Sequence, residues 1–144
     1  MKNSIICFGE VLWDIYKDYK VAGGAPMNVV FHAKNLGIDA QLISAVGADE
    51  LGKAMKHFLH QNEIGTDLIS TNYSFPTGST QVVTNETGSA SYEILTPAAW
   101  DFLHSDENRK NLVTKAQALV FGSLICRDAH NLSLIHISEP TRPY

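Results

Sequence analysis

Twice between Ser4 and Asn62 a short apolar run gives way to an apolar stripe at helical spacing, and this alternation constrains the fold more than any other feature of the chain. Ser4 to Phe8 is mostly apolar and stops at Gly9, as a strand buried in a parallel sheet does. Val11 to Tyr19 mixes aromatic and charged residues and suits short exposed strands. Gly23-Gly24 then opens a helix. Pro26 fits its first turn, where a missing N–H costs nothing, Val29, Val30, Ala33 and Leu36 recur at helical spacing, and Gly37 fits the position just past its end. Ala40 to Val46 reads as a second strand. Asp49 is a good cap for a second helix with Leu51, Ala54, Met55, Phe58 and Leu59 on one face. Strand, helix, strand, helix predicts an α/β fold built on a parallel sheet flanked by helices.

The middle of the chain changes character. Thr80 to Thr84 and Ser89 to Leu95 are rich in Thr, Val, Ser, Tyr and Ile, and Asn85-Glu86-Thr87-Gly88 between them is a turn signal. A β-hairpin with polar residues on both faces is expected. A weakly amphipathic helix from Asp106 to Lys115 and a buried strand from Ala118 to Phe121 follow, the latter ending at Gly122-Ser123-Leu124. A hydrophobic fraction of 44% supports a packed core, and a net charge of −4 with scattered basic residues argues against a surface built for nucleic acid or anionic lipid. Cys7 and Cys126 each sit in an apolar strand-like run, the pattern of reduced, buried thiols. No apolar run approaches the length of a membrane span, and the first one soon meets Glu10. A soluble, cytoplasmic protein without membrane or nucleic-acid partners is expected.

Ala22-Gly23-Gly24-Ala25-Pro26-Met27-Asn28 is the most informative stretch for chemistry. Adjacent glycines let the backbone approach a ligand, and a helix start adds free N–H donors. Asn28 on the first turn both donates and accepts, as sugar hydroxyls do. The plain alternative is a tight turn with an ordinary cap. Asp14, just after the first strand, is the second candidate: a carboxylate accepts from two neighbouring hydroxyls, and open α/β sheets present ligand loops there. Taken alone, it is an ordinary solvated aspartate. Two other features carry less. Gly47 to Ala54 nearly matches a phosphate loop, but Ala54 has no hydroxyl for Mg²⁺, and Asp49 and Glu50 bring carboxylates to where phosphates would sit. His57 and His60 are three apart with no further ligand at metal spacing, so no metal site is expected. Trp13 and Trp100 are expected to be packing residues.

In order and spacing these pieces resemble the ribokinase-like (PfkB) carbohydrate kinase family. The matching elements are Phe8-Gly9-Glu10-Val11-Leu12-Trp13-Asp14, Gly23 to Asn28, Leu36-Gly37 and Val46 to Gly52. Pro76-Thr77-Gly78, Tyr92-Glu93-Ile94, Ala99-Trp100-Asp101 and Phe121 to Leu124 with Arg127 are similar to its fructokinase branch. The resemblance implies ATP-dependent phosphorylation of a small sugar, with fructose leading, at a primary hydroxyl. It implies that Asp14, Gly23, Gly24 and Asn28 bind the sugar, and that residues 13–22 and 80–95 supply a small β-sheet lid that also makes a homodimer contact. It further implies ATP and Mg²⁺ as cofactors, together with a Gly-Ala-Gly-Asp segment holding the general base in a second half.

This chain has no such segment. Residues 1–132 are therefore expected to be the N-terminal part of such a kinase domain, without its catalytic base or ATP site and inactive by itself. Residues 133–144 resemble translated sequencing-adapter DNA and are expected to be a non-native tail. The alternatives are another sugar or nucleoside kinase of the same family, or a non-catalytic carbohydrate-binding relic. A dinucleotide-binding oxidoreductase ranks last, because no G-x-G-x-x-G turn follows the first strand. Resequencing the locus checks the tail: a stop codon directly after Tyr144 would show it to be genuine, and a reading frame that diverges near Leu132 and runs on would show it to be foreign.

Overall fold

The computed structural model describes residues 4–84 and 86–138. Eight strands, β1 (Ser4–Phe8), β2 (Leu12–Ile15), β3 (Lys20–Gly23), β4 (Asp39–Gly47), β5 (Ile69–Asn72), β6 (Gly78–Thr84), β7 (Ala90–Ile94) and β8 (Ala118–Phe121), alternate with helices α1 (Ala25–Asn35), α2 (Glu50–Gln61), α3 (Glu107–Lys115) and α4 (Ala129–Ser138). Short 3-10 turns cover Ala99–Phe102 and Leu124–Arg127. The larger sheet has the order β5-β4-β1-β8 and is parallel throughout. A smaller sheet, β3-β2-β6-β7, is mixed. This is the α/β fold anticipated from the alternation, with the small sheet formed by the segments expected to supply a lid.

Both faces of the larger sheet are covered. Side chains alternate across a strand, so Cys7 faces one layer while Ile6 and Phe8 face the other. Cys7 packs with Val11, Val30, Leu42, Met55 and Leu59 under α1 and α2. Ile6 and Phe8 pack with Ile43, Trp100, Leu103, Ile125 and Ile135 on the opposite side. Full burial of each such side chain contributes about 1.5–3 kcal/mol. Burial also pushes the Cys7 thiol up to about 11, and both cysteines are free. Cys126 differs from expectation: it lies half-buried in a 3-10 turn because the chain bends at Gly122, directly after β8.

Other local expectations need correction. α1 buries Pro26, Met27, Val30 and Ala33, while Val29 and Leu36 are exposed, because the sheet lies against a stripe rotated from the one expected. The 80–95 hairpin is not polar on both faces: Gly78, Thr80 and Val82 are buried on one face of β6, whereas β7 is exposed throughout. Of its expected turn, Asn85 lies outside the described residues. β8 is not a buried strand. It is an edge strand among the described residues, and Phe121 is exposed. α4 includes residues 133–138 of the expected non-native tail, and 139–144 lie outside the described residues. Asn131, Leu134 and Ile135 are buried at helical spacing, a period hidden in the sequence because its first member is polar.

An unpaired edge carrying apolar side chains is a template for association. The chain on its own is expected to self-associate at micromolar concentration, as read by concentration-dependent size-exclusion profiles. A sharp, cooperative melt of a monomeric sample would count against this.

Candidate functional site

The larger sheet reverses its winding at β1: the chain goes from β1 to β4 and β5 on one side and returns to β8 on the other. Open α/β sheets bind ligands in the crevice outside the carboxyl ends of the strands at such a switch point. Gly9-Glu10 follow β1 and Gly122-Ser123 follow β8, and the residues singled out by the sequence lie in the small sheet and α1 that continue from this point.

Asp14 sits on β2, half-buried, and accepts no hydrogen bond among the described residues. Its carboxylate lies over Gly23 at the end of β3, where an added Cβ would meet Asp14 Oδ2 at 2.9 Å. Gly24 caps α1 with φ of 119°, a left-handed conformation that suits glycine, and a Cβ there would collide with the Glu10 carbonyl oxygen. Asn28 is exposed on the first turn of α1, its amide N–H bonded to Gly24 O at 3.0 Å and its side chain without a partner among the described residues. Asp14 and Gly23 are thus in contact, while Gly24 and Asn28 are joined through the helix start.

One expectation about this start is met only in part. Its amides are not all free: the Ala25 N–H donates to Glu10 Oε1 at 3.1 Å, and Pro26 has no N–H. Glu10 is only 3% exposed, and its Oε2 is buried without a partner among the described residues. Burial pushes its carboxyl above the ordinary value, opposed by its own amide, by that of Ala25 and by the Arg127 charge. Glu10 was legible only as a charged residue stationed directly after a buried strand.

Arg127 is itself committed. Its Nε and Nη2 donate to the buried Asp101 carboxylate at 2.8 and 2.5 Å, Nη2 also donates to Leu95 O at 2.9 Å, and the guanidinium lies 4.0 Å above the Trp100 ring. Such a bidentate pair holds its geometry firmly. Asp101 also accepts from the Ala98 N–H at 2.8 Å, so the segment after β7 and the turn after β8 meet here. Trp100 is fully buried, with its indole nitrogen packed against Gly78, and Trp13 donates from Nε1 to Leu51 O at 3.0 Å. Both tryptophans are packing residues.

The Gly47–Ala54 segment turns its polar groups onto itself and onto Thr77. The Asp49 carboxylate accepts from Gly52 N–H at 2.8 Å, Thr77 N–H at 2.8 Å and Thr77 Oγ1 at 2.6 Å, and Gly47 N–H donates to Thr77 Oγ1 at 2.9 Å. It is a helix cap and a clamp onto the start of β6, and the Gly47 and Gly52 amides are both taken up in that clamp. Among the described residues no group of three acids, histidines or cysteines could hold a metal ion, and no helix is long and apolar enough to cross a membrane.

The description "pfkB family carbohydrate kinase" matches residues 3–139, and the chain belongs to that family. It is 28% identical over 133 residues to a probable fructokinase-7 of Arabidopsis thaliana, covering 83% of this chain and 39% of that protein. Over 74 residues, 44% of this chain and 23% of the other, it is 35% identical to an ATP-dependent 6-phosphofructokinase of Thermoanaerobacterium thermosaccharolyticum. A crystal structure of fructokinase from Xylella fastidiosa superposes with a TM-score of 0.81 at 25% identity, over 94% of this chain and 45% of that one. The same enzyme has been solved with bound ATP. The chain therefore spans less than half the length of these relatives.

Burial alone would raise the Asp49 carboxyl, but the bonds from Thr77 and Gly52 outweigh it and hold the group below its ordinary 3.8. A carboxylate held low in the fold stabilises it above the unfolded value, and that contribution fades as pH falls through the folded value. Asp49→Asn should lower the unfolding free energy by about 1–3 kcal/mol near neutral pH. In chemical denaturation curves the gap between wild type and variant should narrow in acid, below the ordinary carboxylate range.

Proposed function

We propose that this chain is the sugar-binding part of an ATP-dependent kinase that phosphorylates a small sugar at a primary hydroxyl, with fructose as the leading substrate. The observation that carries the proposal is the unpartnered Asp14 carboxylate held against Gly23, beside the helix start that bears Asn28. Two sugar hydroxyls can donate to the carboxylate, and the Asn28 amide can serve a third as donor or acceptor. The glycines keep the floor of the site open to a close-packed ring.

The small sheet would close over the sugar as a lid and keep out water, which competes with the sugar as acceptor of the phosphoryl group. Val21, Tyr92 and Ile94 are exposed on one face of that sheet, and we read this apolar surface as the contact with a second copy of the chain. ATP and Mg²⁺ are the cofactors of the proposed reaction, but the described residues do not fit them: the phosphate-loop look-alike holds the Asp49 carboxylate, bonded to Gly52 and Thr77, where phosphate would sit, and no group of three acids, histidines or cysteines among them could hold a metal ion. Two free thiols and the sugar-kinase setting favour a cytoplasmic protein.

The test is an ATP-Mg²⁺ assay of the protein expressed from its complete gene against a panel of sugars. Fructose should be phosphorylated, and Asp14→Asn should lower kcat/KM for it by about a hundredfold or more through loss of charge-assisted hydrogen bonds. Phosphorylation of no sugar, or an Asp14→Asn enzyme as active as wild type, would sink the proposal.

A further inference from the structure

Both unphosphorylated sugars and sugar phosphates are possible substrates for a kinase of this kind, as the fructokinase and 6-phosphofructokinase relatives indicate. A phosphate is ordinarily met at a helix start by several backbone amides and a basic side chain. At α1 neither is on offer. The Ala25 amide is held by Glu10 Oε1 at 3.1 Å, Pro26 has no N–H, and the Asn28 amide is bonded back to Gly24 O at 3.0 Å. Of the N–H groups from Gly24 to Asn28, only those of Gly24 and Met27 have no partner among the described residues. The nearby cations are committed elsewhere. Arg127 is tied by two bonds to Asp101, and Lys20 lies 5.1 Å over the Trp13 ring. Trp13 precedes Asp14 on β2, so the two side chains point to opposite faces of the small sheet. Oxygen surrounds Gly23 and Gly24: the Asp14 carboxylate lies against Gly23, the Glu10 main-chain carbonyl lies against Gly24, and the Glu10 carboxylate, only 3% exposed, sits on the Ala25 amide.

We propose that Glu10 is a specificity-determining residue: by placing its own carboxylate on the first amide of α1, it reserves the helix start for an uncharged polyhydroxyl substrate and excludes a phosphorylated sugar. The proposal rests on Asp14, Gly23, Gly24 and Asn28 forming the sugar pocket. Glu10 acts in two ways. Protonated or not, it occupies the donor a phosphate oxygen would need, and in its ionised form it also repels a dianion at close range, where little water screens the charges. A hydroxyl loses less, because Asp14 and Asn28 still offer it partners. The absence of a Cβ on Gly24 is what brings the Glu10 main chain, and with it the side chain, close enough to cap the helix.

The experiment measures two constants on the protein expressed from its complete gene: KM for fructose and the competitive inhibition constant of fructose 6-phosphate. Their ratio removes any general damage to the site. In wild type, fructose 6-phosphate should be the weaker ligand. Glu10→Ala, which frees the amide and deletes the charge, should shift the ratio toward the phosphate by about tenfold or more. Glu10→Gln keeps an acceptor on the Ala25 amide and deletes only the charge, so a smaller shift in the same direction is expected. If Glu10→Ala does not fold, the Gln variant carries the test. An unchanged ratio, including the case in which both constants worsen together as a merely structural role would have it, overturns the proposal. So does a wild-type enzyme that binds the phosphate as tightly as the sugar. Turnover of a different sugar would sink the fructose assignment alone, and the same ratio, taken with that sugar and its phosphate, would then decide the role of Glu10.

Discussion

The arrangement of the site depends on how closely Gly24 approaches the main chain at Glu10. There is no room for a Cβ between them, and the φ of 119° at Gly24 is one that other residues adopt only at a cost. That contact sets where α1 begins, and so where Asn28 stands relative to β2 and Asp14. It also brings the Glu10 carboxylate onto the Ala25 amide, which turns a helix start able to hold an anion into one already occupied.

A second tie holds the two sheets in register. Asp49 ends the segment after β4, caps α2 and takes three hydrogen bonds, two of them from Thr77 just ahead of β6. Gly47 and Gly52 permit this clamp because a Cβ on either would meet Thr77, at 2.5 Å from its amide nitrogen for Gly47 and 2.8 Å from Oγ1 for Gly52. The Asp101–Arg127 pair, roofed by Trp100, makes a third tie between the segment after β7 and the turn after β8. The apolar layers supply most of the stability, but they are tolerant of small shifts, whereas these short polar contacts fix relative position.

Much of the fold was legible in local pattern. Ser4–Phe8 and Ala118–Phe121 appear as strands at the expected bounds, Asp49 caps its helix through the side chain, and the helix expected from Asp106 starts at Glu107 with Asp106 as its cap. What failed to read from sequence depends on neighbours remote along the chain. The exposed edge of β8, the buried face of β6 and the helical packing of Leu134 and Ile135 are decided by which surface lies opposite, and a sequence window carries no such information. The polar commitments of Glu10 and Arg127 were illegible for the same reason, since their partners lie 15 and 26 residues away.

By itself, then, the sequence determined the alternation of strands and helices, the glycines at the turn before α1 and the residues able to meet a sugar, because propensity, periodicity and backbone freedom are local properties. Only the tertiary structure decided which of those groups stay unpaired. Among the described residues Asp14 accepts no hydrogen bond, whereas Glu10 is taken by a helix amide because Gly24 packs against the main chain just after β1, which no local rule contains.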